Sequence, residues 1–259
     1  MQVPALEIPR QTDEAFIRPF WGRTLGAPWL ASVLVLVLLT CARAYAMLGP
    51  PSARPLFLLQ FLAMWALPFV LFTRAGRREI GLRNADNAVA AFFWSALAGA
   101  ACALGVFALG LVLFGQSPQN WNVSVRDSFR LQEMRGSMPG PLLFAVIALP
   151  AMIVSPIGEE ILFRGVIQQA FTRRWNAGIA TAVNSFSFGL VHLLHHGISR
   201  DAAGIHLQFL SGSLMVLLMA ATSYVFTLCR LRSGSLWPAM VAHSTCNLVM
   251  IAAIFVCFT

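Results

Sequence analysis

The sequence predicts an all-α, polytopic membrane helix bundle of about seven transmembrane helices, between six and eight, and three observations carry that reading. Of 259 residues, 58% are hydrophobic and 11% charged, with a mean hydropathy of +0.73, whereas about a quarter of the residues of a soluble domain are charged. The apolar residues gather in windows close to the ~20 residues that cross a bilayer as a helix. The charges fall mostly between those windows, and all eighteen basic residues are Arg.

The windows are 28–48, 55–73, 88–115, 140–172, 177–197, 205–229 and 234–258. Residues 1–27 read as an N-terminal cytoplasmic segment, and 28–259 as a single membrane domain whose catalytic core lies at about 140–250. The first window runs into Ala42-Arg43-Ala44-Tyr45-Ala46, which imitates a signal-peptide cleavage site. The polar stretch ahead of it is too long for a signal-peptide n-region, so this window is kept as a helix. The third window is long enough to tilt. It is followed by the longest loop, Gln116 to Pro139, polar with scattered apolar residues (Trp121, Val123, Val125, Phe129, Leu131), which reads as a surface loop or a short interfacial helix. In the fourth window Pro150 and Pro156 should kink the helix and free backbone carbonyls just ahead of two acids.

Placing the N-terminus in the cytoplasm puts Arg10, Arg18, Arg23, Arg74, Arg77, Arg78, Arg83, Arg173, Arg174, Arg230 and Arg232 inside. Arg43, Arg54, Arg126, Arg130, Arg135 and Arg200 are then outside, and eleven against six favours this orientation. The expected location is the plasma (inner) membrane of a bacterium, as an integral multi-pass protein. The basic residues form no long run, so the partners expected are membrane lipid and a protein or peptide substrate, with no nucleic acid. The sequence carries no signal for an oligomeric state. The absence of Lys excludes Schiff-base chemistry and a Ser/Lys dyad, because Arg keeps its proton. The five Cys, odd in number and without a CxxC pair, read as small buried hydrophobes.

Chemistry is concentrated in the fourth, fifth and seventh windows. Glu159, Glu160 and Arg164 lie inside an apolar run, where each charge costs roughly 2.5 to 3.5 kcal/mol on insertion scales and so calls for pairing or function. Glu160 and Arg164 stand at i and i+4, with the acid first, and can pair. Glu159 points about 100° away on a helix and is expected to be left unpaired, free to act on water as a base. Phe188 with His192, and His243 with Asn247, are also i, i+4 pairs. A rise of about 1.5 Å per residue sets all three groups at similar depth, so that they can line one cavity. Other protease types fit less well. All four Asp (Asp13, Asp86, Asp127, Asp201) fall in loops, Leu193 stands where the Glu of an HExxH would be, and Ser213 lacks a nucleophile motif.

In order, Glu159-Glu160-x-x-x-Arg164, Phe188-x-x-x-His192 and His243-x-x-x-Asn247 resemble the three motifs of the CAAX protease and bacteriocin-processing family, also called the Abi family. Phe163-Arg164-Gly165 and Leu236-Trp237-Pro238 frame them as in that family. The resemblance runs from about Pro141 to Asn247, and the first three windows carry no motif. It implies a glutamate-type intramembrane endopeptidase like the type II CAAX prenyl endopeptidases, whose eukaryotic and archaeal relatives remove the last three residues of prenylated CaaX proteins. Carried over residue by residue, it implies that Glu159 and His192 hold and deprotonate the attacking water. His243 and Asn247 would then stabilise the oxyanion, and Glu160 and Arg164 would shape the site, with Phe188 packed beneath the imidazole. No cofactor is expected; the alternative is zinc on Glu159, His192 and His243, since the family has also been described as metalloproteases. The alternative function is a non-catalytic membrane binding or immunity protein, or a small transporter, using the same polar cavity. The intact set Glu159, His192, His243 and Asn247 favours catalysis.

Overall fold

The computed structural model describes residues 16–134, 136–201 and 204–258. Residues 1–15 of the N-terminal segment, with Arg10 and Asp13, and also Arg135, lie outside the described residues. Helix starts follow the local chemistry. α1 (Pro19–Leu25), α2 (Pro28–Leu48) and α3 (Pro55–Leu71) each have Pro in the first turn, where a missing N–H is no loss. Thr73 caps α4 (Arg74–Glu79) by accepting from the Gly76 amide. After α5 (Ala88–Phe114), Asn120 caps α6 (Trp121–Ser128), and α7 (Leu131–Met134) leads to α8 (Gly140–Glu160).

A π-helical stretch, Ile161–Ile167, continues α8 into α9 (Gln168–Arg174). Asn176 then caps α10 (Ala177–Val191), and a 3-10 turn, His192–Leu194, follows. The strands β1 (Ile198–Asp201) and β2 (Gly204–Leu207) pair antiparallel, Ile198 opposite Leu207. The chain closes with α11 (Phe209–Ser233) and α12 (Leu236–Cys257), the latter capped by Ser235.

Among the described residues, seven helical segments are long and apolar enough to span a membrane: Pro28–Leu48, Pro51–Leu71, Ala88–Phe114, Gly140–Arg174, Ala177–Leu194, Phe209–Ser233 and Leu236–Cys257. The protein is an integral multi-pass membrane protein with an all-α bundle. The sixth span starts at Phe209, because residues 204–207 pair as a strand before the helix begins.

Pro150 and Pro156 lie within α8, which runs on to Glu160. Pro156 has no N–H to give Met152, and the Ser244 hydroxyl on α12 donates to that carbonyl instead (2.6 Å). Trp65 Nε1 on α3 donates to Val154 O (3.1 Å), and Asn247 Nδ2 donates to Ala151 O (2.8 Å). Neighbouring spans thus bond to the backbone carbonyls around Pro156, as a lipid environment requires.

α12 packs closest against α5, and Gly99 permits it: a Cβ there would lie 1.9 Å from the Ala242 carbonyl oxygen, next to His243. That neighbour is backbone and cannot swing aside. Gly99→Ala is therefore expected to push α12 away and lower stability by about 1–3 kcal/mol, the usual range for overpacking. Any activity that depends on His243 should weaken with it as that side chain shifts. Thermal unfolding and activity of the purified variant check this, and an unchanged pair of values would refute the close approach.

The loop read as surface or as a short interfacial helix does form the short helix α6, but its start is anchored in the bundle. Asn120, Trp121 and Asn122 are buried, Trp121 Nε1 donates to Val106 O (3.0 Å), and Asn122 Nδ2 donates to Phe107 O (3.0 Å). The reason is a bare patch on α5 at Gly110, where a Cβ would meet all three side chains within 2.8 Å. His196, buried just beyond the fifth span, ties α6 to α11: its ring lies 2.7 Å from Ser124 Oγ and 2.9 Å from Ser211 Oγ. Burial holds its pKa below the ordinary imidazole value, so the ring bridges the two hydroxyls as a neutral group. Among the cysteines, Cys246 is buried, whereas Cys41 and Cys257 are exposed on outward faces, where lipid suits them equally well.

Candidate active site

The site is built from the end of α8 inward. Glu160 and Arg164 pair at 3.0 Å across the start of the π-helical stretch, and both side chains are fully buried. Arg164 lies 4.4 Å from the Phe188 ring centroid and 5.3 Å from that of Phe226, and its Nη2 donates to Ser223 O (3.2 Å). A guanidinium between two aromatic faces is well held where water is scarce. Local π-helix recurs at functional sites, because its wider turn re-aims side chains that a regular helix would place elsewhere.

α12 brings His243 onto this pair. Its Nδ1 lies 2.8 Å from Glu160 Oε1, and since a carboxylate oxygen accepts, Nδ1 carries the proton. The other nitrogen, Nε2, faces Glu159 Oε2 at 3.7 Å, beyond direct hydrogen-bond range. The His243 ring stacks on Phe226 (5.0 Å) and meets Phe188 edge-on (5.8 Å).

α10 ends just before His192, which opens the 3-10 turn. Its Nδ1 donates to Phe188 O (2.7 Å), which leaves Nε2 as the free acceptor. The ring rests 4.4 Å from that of Phe188 and lies within electrostatic reach of Glu159. Asn247, on the same edge of α12 as His243, gives its amide to the Ala151 carbonyl of α8. Glu160, Arg164 and His243 thus meet directly, and Glu159 faces His243 at 3.7 Å. Phe188 lies between His192 and His243, while Asn247 is tied to the helix wall beside them.

One expectation is corrected. Glu159 does not stand unpaired: its Oε1 lies 2.5 Å from Arg43 Nη2, and both side chains are buried. Arg43 comes from α2 and lies inside the bundle rather than in an outside loop; its side chain is 0% exposed. Its Nε donates to Gln60 Oε1 on α3 (3.3 Å), and its guanidinium lies 5.1 Å from the Phe61 ring. The physical reason is charge balance. Two buried acids need two buried cations, and Arg164 is already committed to Glu160. Arg43 and Gln60 are the site residues that the motifs missed. The available signal is Arg43 itself, an arginine within an apolar window, which calls for a partner just as the two acids do.

Below Arg164 a polar network continues through the bundle: Thr227 donates to Ser223 O, and Asn184 donates to Thr227 Oγ1 (2.8 Å) and Gln168 Oε1 (3.3 Å). These contacts tie α9, α10 and α11 together behind the site.

The zinc alternative would use Glu159, His192 and His243. Among the described residues, no three His, Cys, Asp or Glu side chains converge as a metal-binding group. Glu159, the carboxylate such a shell would need, is already neutralised through Oε1 by Arg43, and its Oε2 beside His243 Nε2 is the atom such a shell would use. The chemistry available is that of an ionised carboxylate with one oxygen anchored and the other facing an imidazole nitrogen, beside a second imidazole with a free nitrogen.

Residues 141–249 match the model of the family described as Type II CAAX prenyl endopeptidase Rce1-like. No curated protein and no solved structure matches the chain. The matched stretch contains Glu159, Glu160, Arg164, His192, His243 and Asn247, and it leaves out Arg43 and Gln60.

Proposed function

We propose, on the premise that residues 141–249 belong to the Rce1-like type II CAAX prenyl endopeptidase family, that this protein is a glutamate-type intramembrane endopeptidase. It hydrolyses a peptide bond near the C-terminus of a membrane-associated protein or peptide, prenylated CAAX-type chains being the substrate class the family suggests. The observation that carries this reading is the approach of Glu159 Oε2 and His243 Nε2, brought together from α8 and α12 over the buried Glu160–Arg164 pair.

In the proposed reaction, water is held between Glu159 Oε2 and His192 Nε2. Glu159 takes one proton as the water oxygen bonds to the scissile carbonyl carbon, and the carbonyl π pair moves onto oxygen. Asn247, through its second amide proton, and His243, as an imidazolium with Nδ1 held by Glu160 and a proton on Nε2, lie on the edge of α12 that faces α8 and stabilise that oxyanion. Removing one such donor typically costs about 10² to 10³ in rate. Collapse breaks the C–N bond, and the proton on Glu159 passes to the leaving amine. The Arg-rich end, with Arg74, Arg77, Arg78, Arg173 and Arg174, faces the cytoplasm in this reading, which has the N-terminus on the cytoplasmic side of a bacterial plasma membrane.

The test uses purified protein in lipid nanodiscs and an internally quenched, farnesylated peptide ending in a CaaX sequence. Cleavage is expected to survive stripping with a strong chelator, with metal content measured in parallel, and to be lost in Glu159→Gln. Stoichiometric zinc, with cleavage that vanishes on chelation and returns on zinc addition, would overturn the metal-free route. A wild-type protein that leaves such peptides and the C-termini of the membrane proteome untouched would overturn the protease reading.

A further inference from the structure

We propose that Arg43 is a positioning residue for proteolysis: it anchors Oε1 of Glu159 so that Oε2 is the oxygen presented to the attacking water. The inference rests on the reading of Glu159 as the base. It adds to the site a residue from α2, outside the matched stretch 141–249.

The contacts divide the two oxygens of Glu159 between different tasks. Arg43 Nη2 holds Oε1 at 2.5 Å, while Oε2 is the atom that faces His243 Nε2 at 3.7 Å. A carboxylate turns easily about its last torsion, which has a broad, two-fold profile. Unanchored, Glu159 would exchange its oxygens and swing away from His243. Arg43 can prevent this because it is itself fixed at three points: Nη2 on Glu159, Nε on Gln60 Oε1, and the guanidinium against the Phe61 ring. A planar fork of donors makes such simultaneous contacts, and a Lys ammonium at the end of a flexible stem does not reproduce them.

Simple neutralisation of Glu159 would not require this arrangement. The guanidinium is 0% exposed, and two buried donors beside Glu159, Arg43 Nη1 and Gln60 Nε2, have no hydrogen-bond partner among the described residues. Native proteins rarely keep such donors, and those they keep call for a reason such as a catalytic role. Orientation of the base supplies one, because it fixes the guanidinium by its Glu159 and Gln60 contacts even though other donors then go unpaired.

The experiment measures kcat and KM for the farnesylated, quenched CaaX peptide with wild type, Glu159→Gln, Arg43→Gln, Arg43→Lys and Gln60→Ala, and with Arg43→Gln combined with Glu159→Gln. If wild type and Glu159→Gln are equally inert, the protease reading fails whatever Arg43 does. If wild type cleaves and Glu159→Gln does not, Arg43→Gln is expected to lower kcat by about 10²-fold, the cost of a small misplacement at a reacting centre, with KM nearly unchanged. Arg43→Lys should recover only part of that loss, and Gln60→Ala, which loosens Arg43 but keeps the ion pair, should show a milder fall in kcat. Arg43→Gln should add nothing to Glu159→Gln, because it acts through the same carboxylate.

Wild-type kcat in Arg43→Gln, a loss confined to KM, or residual activity that falls further in the double variant would each overturn the proposal. Should Arg43→Gln not accumulate, Gln60→Ala and Arg43→Lys decide: wild-type kcat in both overturns it, and a reduced kcat at wild-type KM in both supports it.

Discussion

Glu159→Gln is expected to reduce kcat by about 10²- to 10⁴-fold, the range for losing a general base, and to weaken the fold as well. The second effect follows from Arg43. An isolated carboxylate could be neutralised at little cost, but here its loss leaves a guanidinium with 0% exposure facing a neutral amide. Breaking a buried ion pair from one side costs about 3–5 kcal/mol, because the other charge stays buried and uncompensated. Replacing both partners, Arg43→Gln with Glu159→Gln, should regain much of that stability while cleavage stays absent. Thermal unfolding beside the cleavage assay reads both effects. A Glu159→Gln protein that cleaves at the wild-type rate would remove the carboxylate from the mechanism. One that is inactive yet unfolds like wild type would show the Arg43 pair to be energetically weak.

Arg164→Ala is expected to be the most damaging substitution to the fold. It strands Glu160, also fully buried, with His243 as its remaining partner. It also leaves a hole between Phe188 and Phe226, both of which the guanidinium faces. The charge effect alone is about 3–5 kcal/mol, a large part of the ~5–15 kcal/mol by which domains are stable. The protein should accumulate poorly, and the double variant Arg164→Met with Glu160→Gln should accumulate better without regaining activity, since His243 loses its anchor on Nδ1. Yield in membranes and unfolding of the purified variants measure this. An Arg164→Ala protein as abundant and stable as wild type would show that Glu160 is buried without need of a cation.

The seven spans were legible because hydropathy reports burial in lipid directly, and the windows fall within a few residues of the helices. Where the sixth window began too early, the apolar residues Ile205 and Leu207 misled: they belong to a strand, and an apolar residue looks the same in either element. The three motif pairs were legible through their four-residue spacing, which survives on helices and even across the π-helical stretch. That stretch was not legible. All seven of its residues are buried, so no change of hydrophobic period marks it. Arg43 escaped for a different reason. It is 116 residues from Glu159 in sequence, and counting loop arginines treats one near a helix end as reaching outward to the headgroups rather than inward to an acid.

That same separation sets an order of events as the chain is made. α2 and α3 enter the membrane before the second half of the chain exists, and at about 5–20 residues per second Glu159 follows Arg43 on the order of ten seconds later. During that interval Arg43 lacks the acid it pairs with in the folded chain. Its place near the end of α2 lets its long side chain reach the headgroup layer and keep its charge wet. When α8 arrives with Glu159, the guanidinium can turn inward, so the first two helices and the matched segment are joined by a charge that one carries in waiting and the other completes. The N-terminal half is therefore part of how the site is assembled, and its contribution is made last.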